Sequence, residues 1–594
     1  MCGIVGAVTA AESGREFVCA GIERMRDRGP DHAGSVHLEG VHLGHSLLST
    51  IGEIEFEQPF WTHDKRAVIV FNGEIYNYLE LMRDDFELEA RCARFPRSDT
   101  VVLAEGLNLH GERFLERCNG MFAFAFLDVA SMRLLLARDR LGIKPLFYRA
   151  HAGEFYFASE AQVLRATQPG RKIDPVGLYS SLRFRYPMGA LSIDAGIAQL
   201  EPGFLMRVSP DGSFVQCRWW SNSHAGGATD SEQTAIERTA ELLGCSLELC
   251  MRSDHGFSSF LSGGLDSSLL AALAINEKGA LDTYSVGLEA EDAIDESLYA
   301  RAVAEHIGSH HIAHVVDAAD FQARAQRILA DKGEPILVPN QVALDSVSAE
   351  LAKRHRVVLS GEGADEVFGG YGRIFLLPHD WRLFQRGELT PKWVAALPAE
   401  FVHDFIGFFV ERYGYTSHAF AVTELGKWGF TRDVADHARD AIVARLRELW
   451  ERIDADDDRN RLMVLFQNIH LPGLLGRLDS ATMRHSVEGR VPFLDYRLVE
   501  YVNTLPAVLK QKPLLKDMIG MRLSGDQLSG VADIPKFILK TIGERYIPKP
   551  IVYRAKVGFP IPGSFTRQDG AEAANGNQYE SWIASNMHEL REKL

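Results

Sequence analysis

Cys2 follows the initiator methionine directly, so removal of Met1 puts a thiol and a free α-amino group on one residue. An α-amine titrating at about 7.7 to 8.0 can act as a general base near neutrality, and one residue could then supply both nucleophile and proton acceptor. Position alone does not argue for this, because any residue can stand second. Further on, Phe260-Leu261-Ser262-Gly263-Gly264-Leu265-Asp266-Ser267-Ser268 lies between an expected strand and an expected helix. Small residues let backbone N–H groups close round an anion, hydroxyls add donors, and the helix start adds its positive end, so a polyphosphate suits this turn. Val358 to Tyr371 is a second strand running into glycines and acids. Asp266 and Asp365 are candidate Mg²⁺ ligands, because Mg²⁺ on ATP takes one or two carboxylates plus phosphate oxygens. On its own Asp365 reads equally as a helix cap. His310, His311 and His314 have no further ligand cluster nearby and read as core or edge histidines of a strand.

Four ordered motifs give Cys2 a context: Arg28-Gly29-Pro30-Asp31, Phe71-Asn72-Gly73-Glu74-Ile75-Tyr76-Asn77, Ser98-Asp99, and Ala137-Arg138-Asp139-Arg140-Leu141-Gly142-Ile143-Lys144-Pro145-Leu146. Their order and spacing resemble class II glutamine amidotransferase domains, which are amino-terminal-nucleophile glutaminases. The resemblance implies that Cys2 attacks the glutamine amide, that the Asn72 side chain and Gly73 N–H form the oxyanion hole, and that Glu74 and Asp99 hold the substrate ammonium, with Leu48 also against the glutamine. Taken alone, Asn72-Gly73 reads as a hairpin turn. One position departs from the family: where an arginine usually clamps the glutamine carboxylate, this chain has Leu47, in Gly44-His45-Ser46-Leu47-Leu48-Ser49-Thr50. Losing one charge-assisted bond costs roughly 1.5 to 3 kcal/mol, about one to two orders of magnitude in binding. Arg28 is a candidate substitute.

The Ser262 turn lacks the G-x-x-x-x-G-K-[ST] pattern of a Walker loop and resembles the pyrophosphate loop of ATP pyrophosphatases. That implies adenylation with release of pyrophosphate. Together with Ser486-Val487-Glu488-Gly489-Arg490-Val491-Pro492-Phe493-Leu494-Asp495, Lys536-Phe537-Ile538-Leu539-Lys540 and Lys556-Val557-Gly558-Phe559-Pro560, the set resembles glutamine-hydrolysing asparagine synthetases over nearly the whole chain. The resemblance implies ATP and Mg²⁺. Leu261 and Val286 would contact adenine and ribose; Ser262, Gly263, Gly264, Asp266 and Ser267 would hold the phosphates, with Ser360 and Gly361 beside the nucleotide. Glu362 would serve ammonia attack as proton acceptor or orienter, and Lys536 would neutralise the departing pyrophosphate. Without the family, Lys536 reads as a solvated surface lysine. Aspartate is the default acceptor. Where aspartate-using members carry a Thr-Thr-x-Arg-Ala-Ser-like stretch, this chain reads Glu334-Pro335-Ile336-Leu337-Val338-Pro339-Asn340-Gln341. Another carboxylate, a sugar uronate or a natural-product acid, is the alternative. A β-lactam-synthetase-like cyclase and a ligand-sensing descendant are disfavoured by intact Cys2, Glu362 and Lys536.

Elements must position these residues. Short strands at Gly3 to Val8, Val68 to Phe71, Met121 to Leu127, Arg133 to Ala137 and Glu154 to Ala158, with helices at Phe17 to Met25 and Thr100 to His110, predict an Ntn-hydrolase αββα sandwich over residues 1–218. Ser221 to Ala228 is small and polar and reads as a linker. Residues 230–594 predict an α/β domain: strands at Phe257 to Leu261, Thr283 to Gly287, His311 to Val316 and Arg356 to Leu359 alternate with helices, as in a parallel sheet covered on both faces. Helices dominate from Asp380 to Val508, and Gln568 to Leu594 reads as peripheral. With 594 residues, 46% hydrophobic and 24% charged, the chain is large enough for several cores. A net charge of −16 disfavours nucleic acid and membrane surfaces as partners. Seven cysteines without a C-x-x-C pair predict neither a disulfide framework nor a zinc site. No leader or apolar span is visible, which reads as cytoplasmic. The family suggests a homodimer.

Overall fold

Alternation along the strand Cys2–Val8 sends Ile4 and Val8 to one face and Val5 and Ala7 to the other, and both faces are buried. The strand is therefore internal to a layered structure, which the computed structural model describes for residues 2–51, 57–290, 297–515, 518–555, 561–566 and 578–593. The motif at 556–560 lies outside the described residues. Two six-stranded antiparallel sheets face each other. Val68, Val70, Ala123 and Ala125 from one sheet meet Ile4, Leu43 and Phe157 from the other. Helix Ser13–Arg24 covers one outer face through Phe17 and Val18, and helix Asp99–His110, capped by Ser98, covers the other through Val101 and Val102. This is the expected αββα sandwich.

The second half carries the expected parallel sheet, with one strand more. In spatial order the strands are His310–Val316, Asp282–Leu288, Ser258–Phe260, Val357–Leu359 and Glu488–Arg490. Glu488–Arg490 falls inside the stretch read as helical, because three residues with charges at both ends carry no period that marks a strand. The chain runs outward on one side from Ser258–Phe260 and then crosses to the other. At such a reversal the loops after adjacent strands splay apart and leave a crevice at their carboxyl ends. The loops after Ser258–Phe260 and Val357–Leu359 are the Ser262 turn and the Ser360 turn. His310 to His314 lie on the edge strand, where His311 meets the Thr283 and Ser285 hydroxyls and His314 meets Ser346. No metal-binding cluster of three or more such side chains occurs among the described residues.

Two expectations fail. The segment read as a linker is a fixed strap: His224–Ala225 pairs with Asp454–Ala455, Gly226 N–H donates to Asn503 O at 2.8 Å, and buried Asn222 donates to Gln467 Oε1 at 2.8 Å. Its small polar residues are spent on hydrogen bonds with the second half rather than on water. The terminal stretch is not peripheral either. Helix Gln578–Glu592 buries Trp582, Ile583, Met587 and Leu590, an apolar stripe spaced at helical intervals within a polar sequence. Trp582 packs against Phe321, and its indole N–H donates to Ile336 O at 2.7 Å. Replacing a buried tryptophan by alanine typically costs about 3 to 5 kcal/mol. Trp582→Ala is expected to lower the unfolding midpoint accordingly in a thermal melt of the full chain.

Candidate active sites

The packing of one sheet on the other places Cys2 against the strand Ala67–Ile75. The Cys2 nitrogen, which loss of Met1 would make the free α-amine, donates to Asn72 Oδ1 at 3.1 Å. That leaves the buried Asn72 Nδ2 as a donor with no acceptor among the described residues. Asn72-Gly73 is not a turn: it runs mid-strand opposite Ala123 and Phe122. At Gly73, φ is +156° and a Cβ would lie 2.1 Å from Met121 O and 2.7 Å from Phe122 Cα, so only glycine keeps the strands this close. Burial pushes the Cys2 thiol up, while a backbone hydrogen bond at Leu48 pulls it back. Asp99 accepts from Ile75 N–H at 3.0 Å and Thr100 N–H at 2.7 Å. Burial nevertheless raises Asp99 to about 6. Glu74 is raised well above the usual carboxylate range by burial and by Asp99, and its Oε1 is buried with no donor among the described residues. Cys2, Leu48, Asn72, Gly73, Glu74 and Asp99 are thus brought together. Leu47 lies opposite Cys2 in the neighbouring strand. Arg28 does not stand free in its place: its guanidinium donates to Asp479 at 2.9 Å, to Glu160 at 3.3 Å and to Cys2 O at 3.2 Å.

In the crevice of the parallel sheet, Ser262 N–H donates to Ser267 Oγ at 3.1 Å, and Gly264 N–H to Ser262 Oγ at 3.3 Å. Gly263, at φ +72°, turns the chain where a Cβ would strike Ala300 N at 2.5 Å. Helix Leu265–Lys278 starts directly behind this turn. Leu261 is fully buried, its N–H bound to Tyr284 O, and Val286 lies on the adjacent strand. A Cβ on Gly361 would lie 3.1 Å from Asp266 Cβ, so the Ser262 and Ser360 turns approach closely where glycine stands. Lys536 is no surface lysine. It is 6% exposed and its Nζ lies 2.6 Å from Asp266 Oδ2 and 2.7 Å from Asp365 Oδ1. Burial works against its charge, but the two carboxylates outweigh that and raise it. Gly370 makes room for the trio, since a Cβ there would lie 1.8 Å from Asp365 Oδ1 and 2.3 Å from Lys536 Cε. Two hard carboxylates converging on one cationic point fit Mg²⁺ brought in with ATP, and Asp266 and Asp365 would hold it; the ion would supply charge neutralisation on phosphate oxygens.

Residues 238–589 match the family model described as asparagine synthase, and residues 1–220 match that of a glutamine amidotransferase domain. The chain belongs to the asparagine synthase family. It is a glutamine-dependent, ATP-using carbon–nitrogen ligase of the asparagine synthetase type. It is 29% identical over 575 residues to "Asparagine synthetase [glutamine-hydrolyzing] 1" of Bacillus subtilis, covering 95% of this chain and 87% of that one. It is 32% identical over 597 residues to a "Putative asparagine synthetase [glutamine-hydrolyzing]" of Mycobacterium tuberculosis, covering 95% and 88%. A protein of Penicillium rubens named "Amidase chyE" is 26% identical, covering 83% and 79%. No described helix is long and apolar enough to cross a membrane.

In this chain the two pockets meet along a buried charged seam that the motifs did not disclose. Arg490, wholly buried, donates to Glu488 at 2.5 Å, to Cys250 O at 2.9 Å and to Glu74 at 3.4 Å. Burial opposes ionisation of Glu488, but Arg490 and Lys144 outweigh it and bring its carboxyl down to about 2. Asp479 takes Arg28 and, at 3.6 Å, Lys144. Arg140 is stacked between Trp219 and Tyr496. Near the crevice of the parallel sheet, Arg477 donates to Glu362 at 2.6 Å. Glu366, bonded to the Tyr371 hydroxyl at 2.7 Å, is raised to about 8 by burial, Asp365 and Glu362. Removing one partner of a buried ion pair costs about 3 to 5 kcal/mol, because the other charge stays behind without compensation. Arg490→Met is therefore expected to destabilise the chain by that amount, read as a fall in the denaturant midpoint.

Proposed function

We propose that the chain hydrolyses glutamine at Cys2 and passes the ammonia internally to a carboxylate that it has activated as an acyl-adenylate. The observation that carries this reading is that one strand, Glu488–Arg490, touches both pockets. The Arg490 side chain pairs with Glu74, the residue after the Asn72-Gly73 pair, and its carbonyl accepts the Ser360 N–H at 2.8 Å. Cys2 Sγ adds to the glutamine amide carbon; Asn72 Nδ2 and Gly73 N–H receive the charge that forms on oxygen; and ammonia leaves with the thiol proton. Water then releases glutamate. Glu74 and Asp99 hold the glutamine ammonium. In the second pocket the acceptor carboxylate attacks the α-phosphorus of ATP, pyrophosphate departs past the Ser262 turn, and Lys536 balances the charge. Ammonia displaces AMP from the acyl carbon, and Glu362, oriented by Arg477, takes the surplus proton.

Ammonia in water at neutral pH is mostly protonated and no longer nucleophilic, so its route should be dry. The seam suits this: Leu48, Met121, Leu141 and Ile143 of the first half pack into one apolar core with Leu247, Met251 and Val491 of the second. Aspartate, giving asparagine, is the acceptor that the relatives' names suggest. The Glu334 to Gln341 stretch favours a second reading, a different carboxylate. Ile336 and Leu337 in it are buried apolar side chains rather than groups that would hold the carboxylates and ammonium of aspartate.

Three outcomes are expected. Cys2→Ala abolishes glutamine-supported pyrophosphate release and leaves ammonium-supported release intact; equal loss of both contradicts a separate glutaminase. The glutaminase kcat/KM falls as pH drops through about 6, because Asp99, raised to that value by burial, is charged above it and neutral below it. Asp99→Asn lowers kcat/KM at pH 8 by roughly ten- to hundredfold, the worth of one charge-assisted bond, and flattens this acid limb. An unaltered limb in the variant removes Asp99 from the ammonium site.

A further inference from the structure

A cavity of about 260 Å³ lies between the two halves of the chain. Its body is apolar, with Met188 and Leu191 from the first half facing Ile328, Ile336, Leu337 and Leu449 from the second. That is well above the ~150 Å³ of apolar space that admits a benzene ring. At one place three donors have capacity that nothing among the described residues takes up: Nε of Arg185, the Tyr186 hydroxyl and Nε of Arg477, each buried. They are neighbours. Tyr186 follows Arg185 and packs on Gly473, one turn before Arg477 in helix Leu471–Met483. Arg185 is stacked between the rings of Tyr415 and Tyr579, and no carboxylate pairs with it among the described residues. Arg477 in turn bonds Glu362 at 2.6 Å and Asn340 at 3.0 Å, which puts this corner against the Ser360 turn of the nucleotide crevice.

The acids around the same cavity are all engaged. Glu160 takes Arg28 and Lys332, Glu201 takes Arg445, Glu334 takes Arg165, and Asp479 takes Arg28 and Lys144. An incoming carboxylate therefore meets unspent donors, whereas an incoming ammonium meets no free anion among the described residues that line the cavity. Buried charge without a partner is strongly disfavoured, so this asymmetry selects.

We propose that this cavity is the acceptor site and that its substrate is a carboxylic acid with a bulky apolar body and no ammonium group, its carboxylate held at Arg185, Tyr186 and Arg477. The inference rests on the acyl-adenylation reading and names its substrate class. The acid's carboxylate oxygen bonds to the α-phosphorus of ATP as pyrophosphate leaves, and ammonia later replaces AMP at the acyl carbon, giving the amide of that acid.

The test uses the full chain with Mg-ATP and ammonium chloride, so that the glutaminase is bypassed, and measures pyrophosphate release with 3-phenylpropanoate, octanoate, phenylalanine and aspartate. At least one of the two apolar acids is expected to show kcat/KM tenfold or more above both amino acids. Val338→Phe, which narrows the cavity at a half-buried position, is expected to raise KM for that acid at least tenfold with kcat little changed. Turnover of aspartate with both apolar acids inert overturns the inference and leaves the proposed amidation standing. An unchanged KM in the variant removes the acid from this cavity. Silence with all four acids counts against the adenylation reading as well.

Discussion

Burying a charge is tolerable only where an opposite charge and hydrogen bonds come with it, and this chain buries a row of them where its halves meet. Arg490 with Glu488 and Glu74, and Arg28 with Asp479 and Glu160, each draw partners from both halves. Neither half can shift without stranding charges in a dry interior. The same residues sit against the chemistry: Arg28 bonds the carbonyl of Cys2, Glu74 follows the Asn72-Gly73 pair, and Arg490 bonds the N–H of Ser360 through its own carbonyl. The seam that holds the halves together therefore also sets the geometry of both pockets.

The crevice of the parallel sheet uses a second constraint, the order of its strands. The turns after Ser258–Phe260 and Val357–Leu359 end at the reversal point of the sheet. Glycines let them approach: Gly361 lies on Asp266, and Gly370 leaves space for Asp365 and Lys536. The Lys536 ammonium holds the two carboxylates together. Preorganised charge of this kind needs little rearrangement when negative charge develops beside it.

Local signals in the sequence disclosed much of this and missed a definable remainder. The Ser262 turn, the Ser360 turn and Cys2 are recognisable because their small residues, acids and positions are contiguous. Asn72-Gly73 by itself pointed the wrong way, since the pair that favours a tight turn here serves a close strand contact opposite Phe122. The strand Glu488–Arg490 was too short to show a period, and the helix Gln578–Glu592 hid four apolar residues in polar surroundings. Pairings such as Arg28 with Asp479, 451 residues apart, or Arg477 with Glu362, 115 apart, leave no local trace. Lys536 looked like any lysine because what makes it unusual, two acids far away in the chain, appears only on folding.

The central claim is that nitrogen freed at Cys2 crosses this seam to the acyl-adenylate without entering bulk water. It is tested most directly by supplying glutamine labelled with ¹⁵N in its side-chain amide together with a large excess of unlabelled ammonium, and measuring the isotope in the amide product by mass spectrometry. Product that retains the label, in a proportion far above its share of the total ammonia pool, is the expected result. Label diluted to that share would mean that the ammonia escapes and returns, and the coupling of the two pockets through the seam would be wrong.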